Sequence, residues 1–201
     1  MTLVRRQGVT WADSFTRANQ SALGNGWTLG NGSTQPAISS NSAACTTTTG
    51  GYYPAIYPQQ ARTDRYYVQV QLNGSPTATG VAVLIRCNTG FTQQVAAFVS
   101  SAATSTAILY IQNGTASSAT TEVSGSTTYS SGQYLTISAA GNVYTQWKSS
   151  TPVWQTGTAV LTWTDSSNVT STGLGLRYGG VAVQYGSVAS VPIQNFVMSD
   201  Y

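Results

Sequence analysis

The chain is expected to fold as an all-β, two-sheet antiparallel sandwich of the jelly-roll type, and three observations lead there. Apolar and polar residues alternate with period two in many short stretches of its 201 residues, the mark of half-buried strands. Turn-forming pairs, most with glycine, separate those stretches. No segment carries a helical period with caps, and Thr16 to Leu23 reads as a turn or one short coil. Many short strands at regular spacing point to two packed sheets.

Taken in order, residues 1–10 read as an N-terminal arm and residues 11–201 as one domain, since no Pro/Gly-rich linker divides the rest. Trp11 to Phe15 opens the domain. Gly50 to Pro58 reads as a loop, with Tyr52, Tyr53 and Tyr57 held between prolines that stiffen it. In Tyr66 to Asn73, the residues Tyr66, Val68, Val70 and Leu72 face one side, opposite Gln69, Gln71 and Asn73. In Val81 to Cys87, the residues Val81, Val83, Ile85 and Cys87 oppose Ala82, Leu84 and Arg86. Ala107 to Ile111, Leu135 to Ala139, Val143 to Trp147 and Ala159 to Trp163 alternate in the same way. Turns are expected at Asn73-Gly74, Thr89-Gly90, Asn113-Gly114, Gly141-Asn142 and Gly179-Gly180. Gly141-Asn142 should close a two-residue hairpin between 134–140 and 143–149. The Ser/Thr/Ala/Gly-rich segment Ala116 to Ser131 reads as an exposed strand or a long surface loop.

Composition narrows the function. Hydrophobic residues make up 41% of the chain, enough for a core, while only 6% are charged, far below the roughly 25% of ordinary domains. Low charge favours contacts within an assembly, including a homo-oligomer. The net charge of +3 comes without a basic stripe interleaved with stacking aromatics, so nucleic acid is not an expected partner. Arg5-Arg6 and Arg62, Arg65 read as local salt-bridge or amide-binding groups. Nothing resembles a membrane span, and the first residues lack the apolar run of a signal peptide. Cys45 and Cys87 permit one disulfide; two buried, unpaired thiols are the favoured alternative.

Catalytic material is scarce. There is no histidine, which rules out Ser-His-Asp and Cys-His arrangements. The acids Asp13, Asp64, Glu122, Asp165 and Asp200 lie far apart in sequence, with Asp13 and Asp200 the pair that folding would most plausibly join. Lys148 is the single lysine and reads as a solvated strand residue. Glycine-rich stretches lack the lysine of a phosphate loop, and no cofactor is implied. Aromatics are biased toward those that tolerate water, with 12 tyrosines and 5 tryptophans against 4 phenylalanines. Such rings with polar tips suit a saccharide surface. Tyr52, Tyr53 and Tyr57, together with Tyr144, Trp147 and Trp154 around the turn at Thr151-Pro152, are the candidate platform. The alternative for each ring is packing in the core or an interface.

Asp13 to Asn19, followed by Leu23-Gly-Asn-Gly-Trp27-Thr28, resembles the opening of concanavalin A-like lectin/glucanase domains of the laminin-G-like jelly-roll type. Pro36 to Ala43 resembles their second strand, Gly80 to Arg86 the central strand, and Tyr134 to Trp154 a later strand pair. Thr172 to Leu176 and Ile193 to Asp200 resemble the closing strands. In that pattern the strand holding Phe15 pairs with the strand holding Phe196, and Trp11, Trp27, Phe15 and Phe196 are core. The resemblance extends to small virion proteins of tailed phages that infect actinobacteria. It implies a non-enzymatic minor tail or decoration protein, mounted on other virion proteins by its arm and contacting host surface polysaccharide. A purely structural decoration protein comes second and a glycan-cleaving enzyme third, because the Glu-x-Asp-x-x-Glu pattern of the glucanases is missing. The resemblance also implies a structural calcium near the termini, at Asp13 and Asp200. Turn capping or pairing with Arg17 is the preferred role, since calcium takes about six to eight oxygens.

Overall fold

In the computed structural model, residues 8–30, 33–76, 79–100, 105–112, 118–186 and 188–201 are described. The arm's residues 1–7 and the turn at Asn113-Gly114 lie outside them. The strands in chain order are β1 Thr10–Asp13, β2 Thr28–Leu29, β3 Ala37–Ser39, β4 Ser42–Ala44, β5 Gly51–Gln60, β6 Arg65–Leu72, β7 Val81–Cys87 and β8 Gln93–Ser100. They continue with β9 Ser105–Gln112, β10 Ala119–Ser126, β11 Tyr134–Ala140, β12 Val143–Ser149, β13 Thr158–Thr164, β14 Tyr178–Tyr185 and β15 Ile193–Asp200. They form two antiparallel sheets. One runs β13-β12-β11-β6-β15-β4-β3, with β1 also on β15; the other runs β10-β9-β8-β7-β14-β5-β2. The fold is the all-β jelly-roll sandwich expected from the sequence.

The alternation of β6 places Tyr66, Val68, Val70 and Leu72 in the space between the sheets, against Leu135, Ile137 and Ala139 of β11 and Val81, Val83 and Ile85 of β7. The outward residues form polar ladders, such as Gln69 Nε2 donating to Thr136 Oγ1 at 2.9 Å. Gly141-Asn142 closes the expected hairpin between β11 and β12, with Gly141 at φ 64°, a backbone state that glycine tolerates best. The strand β10 is the exposed strand expected within residues 116–131. Phe15, Trp27 and Phe196 are buried and Trp11 packs against them. The pairing of the two ends runs from Thr10↔Ser199 to Asp13↔Phe196, so Phe15 itself lies just past β1.

Four local expectations fail for physical reasons. Gly179-Gly180 is not a turn but the start of β14. A side chain on Gly180 would meet the carbonyl of Ala55, and one on Gly179 would meet Val68 and Met198, so the glycines allow close strand packing. Pro36 to Ala43 is not one strand: β3 and β4 form a hairpin through Ser40 and Asn41, at φ 50° and 58°. Thr172 to Leu176 is a turn rather than a strand, with Leu176 N bonded back to Gly173 O. The presumed tyrosine loop is the strand β5, where Pro54 is tolerated beside short β2 and its carbonyl accepts from Gly30 N at 2.8 Å.

A fifth departure organises one end of the sandwich. Arg86 has φ 56°, a left-handed residue that breaks the alternation of β7. Cys87 therefore joins the outer apolar cluster, while Arg86 turns inward and is fully buried. Its guanidinium lies 5.7 Å and 6.0 Å from the rings of Tyr66 and Tyr144. Its N–H groups donate to Asp64 Oδ1 at 2.5 Å, Asp64 O at 2.9 Å and Gly141 O at 2.9 Å. Arg177 completes the pair from outside, with Nη2 donating to Asp64 Oδ2 at 2.9 Å.

Hydrogen bonds from Arg177, outweighing burial and aided by Gly173 N and Arg86, lower the Asp64 carboxyl to about 2. A lowered carboxyl stabilises the fold above its unfolded value of 3.8 and ceases to as pH falls through about 2. Asp64→Asn should thus cost on the order of 2 kcal/mol near neutral pH. Urea unfolding should show that difference from the wild type closing between about pH 5 and about pH 2. A difference that stays constant across that window would refute the assignment.

Candidate functional site

The outer face of the seven-stranded sheet is apolar. Ala82, Leu84, Ala96 and Ala182 form a covered layer, with Tyr52, Ile56, Phe91 and Ile111 packed around them. Beside that layer lies a groove of about 470 Å3, within the range of about 300–1,000 Å3 typical of ligand sites. Tyr52 on β5, Gln184 on β14, Phe98 on β8, Leu109 on β9 and Thr121 on β10 line it. From β5 to β10 the sheet order spans six strands, about 24 Å at the usual strand spacing. Among the described residues no charged side chain lines the groove.

Two contacts fix its walls. The Phe98 ring lies where a Cβ on Gly80 would be, and Gly80 N donates to Gln184 Oε1 at 3.2 Å. Tyr52 OH donates to Gln94 Oε1 at 3.3 Å. Gln94 is fully buried, and its Nε2 has no hydrogen-bond partner. An unmade bond at a buried donor costs about 1–3 kcal/mol, so a polar group is poised beneath the Tyr52 wall. Burial raises the Tyr52 hydroxyl well above its ordinary range, which keeps it a neutral donor.

The expected platform residues do not converge. Tyr52 faces the groove, whereas Tyr57 stacks at 5.2 Å on Phe196 and meets Trp27 edge-on at 5.3 Å in the core. Tyr53 is half-buried, its hydroxyl donating to Thr49 O at 2.6 Å. Tyr144 is fully buried, stacked at 5.1 Å on Trp163 and bonded to Thr170 at 2.7 Å, so it is no surface ring. Trp147 and Trp154 do meet, with ring centroids 5.0 Å apart. They lie with Tyr67 and Tyr201 in a cluster separate from the groove. Phe98, Leu109, Gln94 and Gln184 escaped the sequence reading because only the order of the strands brings them to Tyr52.

The carboxylates are engaged elsewhere. Asp13 accepts from Arg17 at 2.7 Å and 3.0 Å, from Phe15 N at 2.8 Å and from Trp27 Nε1 at 2.9 Å. Burial pushes it up, but those bonds win and hold it below the usual range. Asp200 caps the turn at Arg62 and Thr63 through their backbone N–H groups. Asp13 pairs with Phe196, four residues from Asp200, which separates them by about 13 Å along the strand. They do not form the shared calcium site that the resemblance implied. Among the described residues no three His, Cys, Asp or Glu side chains gather where a metal ion could sit. Burial and the charge of Asp165 raise Glu122. Asp165 itself is 2% exposed, with its oxygens taken by Val169 N and by Thr170 N and Oγ1. Asp165 therefore has no open carboxylate to offer a substrate.

Of the arginines, Arg62 and Arg65 make no salt bridge; Arg65 lies over the Tyr201 ring at 5.4 Å. Among the described residues the ion pairs are Arg17–Asp13, Arg86–Asp64 and Arg177–Asp64. No helix among the described residues is long and apolar enough to cross a membrane. Cys45 and Cys87 are both buried and unpaired, and burial raises both thiols.

No family model matches the chain, and no curated protein is similar to it in sequence. Solved structures are similar in fold. The carbohydrate-binding module CBM66 from Bacillus subtilis shares 15% identity, with 87% of this chain and 96% of that one covered and a TM-score of 0.61. The CBM2 module of the evolved Dit from Lactobacillus casei BL23 phage J-1 also shares 15%, covering 98% and 100%, with a TM-score of 0.61. Winged bean acidic lectin, complexed with methyl-alpha-D-galactose, shares 10%, covering 96% and 98%, with a TM-score of 0.58. A GH43 protein from Bacillus licheniformis carries the same fold in the 39% of its chain that is covered. The chain thus has the jelly-roll fold of carbohydrate-binding modules and legume lectins.

Thiol titration checks the cysteine geometry. Native protein should react slowly with a thiol reagent, and protein unfolded without reductant should release two equivalents, as two unpaired thiols require. A yield of zero would establish a disulfide instead.

Proposed function

We propose that the protein is a non-enzymatic virion component, a minor tail or decoration protein of a phage, that holds neutral host-surface polysaccharide in the groove of the seven-stranded sheet. The groove carries this reading: aromatic and apolar walls, with the polar side chains of Gln184, Thr121 and Ser124 and no charged residue in its described lining. The CH faces of a sugar are apolar and its rim is hydroxyl, so rings such as Tyr52 and Phe98 take the faces while Gln184 and Thr121 take the rim. The open length suits several linked units rather than one. The fold shared with carbohydrate-binding modules, one of them from a phage Dit, supports the context. Hydrolysis is disfavoured because Asp13, Asp64, Asp165 and Asp200 are all held by the protein's own donors.

Affinity electrophoresis of purified protein through neutral and acidic polysaccharides tests the groove. Phe98→Ala and Tyr52→Phe should each weaken retention, Phe98→Ala by about tenfold, as expected for an aromatic anchor. Trp147→Ala, on the separate cluster, should leave it unchanged. Wild-type protein that no polysaccharide retains would favour the purely structural decoration protein, and sugar release would establish an enzyme.

The virion role rests on the arm. Removing residues 1–7 spares β1, which begins at Thr10. The truncated chain should keep the wild-type melting temperature yet fail to enter particles; normal incorporation would refute the arm as the mount. Mass photometry of the same two proteins reports whether a homo-oligomer depends on it.

A further inference from the structure

A second cavity lies apart from the groove. The connection at 127–133 and the β12–β13 hairpin enclose about 460 Å3 lined by Thr127, Gln133, Lys148, Ser150, Thr156 and Thr158, among others. Lys148 is the one lysine of the chain. Its Nζ donates to Thr128 O at 2.5 Å and sits 5.6 Å from the centroid of the Tyr129 ring. Tyr129 is 1% exposed, and Gln146 Nε2 donates to its hydroxyl at 3.2 Å. The ammonium is therefore seated against a fixed ring rather than free in solvent.

Its charge is not neutralised. Among the described residues the ion pairs all involve arginine, and no carboxylate lines the cavity. An ammonium has three N–H donors, and the Thr128 carbonyl takes one. The rest of the wall supplies neutral donors. Gln133 Oε1 accepts from Ser130 N at 2.8 Å, which directs its NH2 group elsewhere. The hydroxyls of Thr127, Ser150 and Thr158 complete the set. Gly157 fixes the wall's position, since a Cβ there would strike Lys148 O, Ser149 and Trp154 O. The turn thus folds tightly back onto β12.

We propose that this cavity is a second ligand site, taking a monoanionic oxyanion carried on a polyhydroxylated molecule, such as the carboxylate or phosphodiester of an acidic glycan. One unneutralised cation surrounded by hydroxyl and amide donors matches a singly charged oxyanion on a sugar-like scaffold. The groove has no charge and takes the neutral part of a polymer. The two sites together would read two features of one surface, but the anion site stands without the groove.

Amide chemical shifts of the 15N-labelled full chain at low salt test it, with D-galacturonate, dimethyl phosphate and D-galactose as probes. Either anion should shift the amides of residues 148–150 and 156–158 saturably, and galactose should not. The two anions distinguish carboxylate from phosphodiester. Lys148→Gln should weaken the anion response by about tenfold or more while leaving the rest of the spectrum and the retention by neutral polysaccharides intact. No saturable shift with either anion, an equal response to galactose, or undiminished affinity in Lys148→Gln would each overturn the site. Loss of groove binding alone would not.

Discussion

The pairing of Arg86 with Asp64 is the constraint on which one whole end of this sandwich depends. A guanidinium between two sheets is costly unless acceptors lie close by; the two Nη groups of Arg86 have them, while its Nε has no partner. Here Asp64 supplies a carboxylate and a carbonyl, Gly141 supplies a second carbonyl, and Tyr66 and Tyr144 face the cation with their rings. The same side chain therefore ties together the turn before β6, the β11–β12 hairpin and the end of β7. Through Gly173 N, which donates to Asp64 Oδ1 at 3.2 Å, it also holds the turn before β14. The left-handed backbone at Arg86 is part of this arrangement, for it sends the arginine inward and Cys87 out to the opposite face.

That switch also shapes the outer face. With Cys87 joining Ala82 and Leu84, the centre of the seven-stranded sheet carries a covered apolar layer on its outer side. Tyr52, Phe98 and Leu109 pack on that layer and line the groove beside it. The eight-stranded sheet presents a different surface, with the polar ladder of Gln69 and Thr136 and the cluster of Trp147 and Trp154 with Tyr67 and Tyr201. One core thus carries two faces of unlike chemistry.

Much of the architecture was legible in residue order because period-two alternation is a local signal. β6, β7, β9, β11, β12 and β13 all lie where the alternation put them. What failed were positions where a residue's usual meaning is overridden by a neighbour distant in sequence. Gly179 and Gly180 look like a turn until the adjoining Ala55 carbonyl and Val68 side chain explain the missing side chains. Pro54 looks like a loop residue until the shortness of β2 is known. The candidate site was legible only as a bias toward tyrosine and tryptophan. Tyr52 could be singled out, but Phe98, Leu109 and Gln184 join it only through the strand order, which alternation does not encode. Tyr144 shows the converse, for a tyrosine that looks amphipathic in sequence is sealed in the core once its hydroxyl finds Thr170.

The inward commitment of the carboxylates has a broader consequence. With four of the five acids spent on turns and arginines, and no histidine anywhere, little on this exterior gains or loses a proton across the neutral range. A grip made by uncharged walls is also scarcely screened by dissolved ions. Binding in the groove, as proposed, would therefore change little with salt or with pH near neutrality.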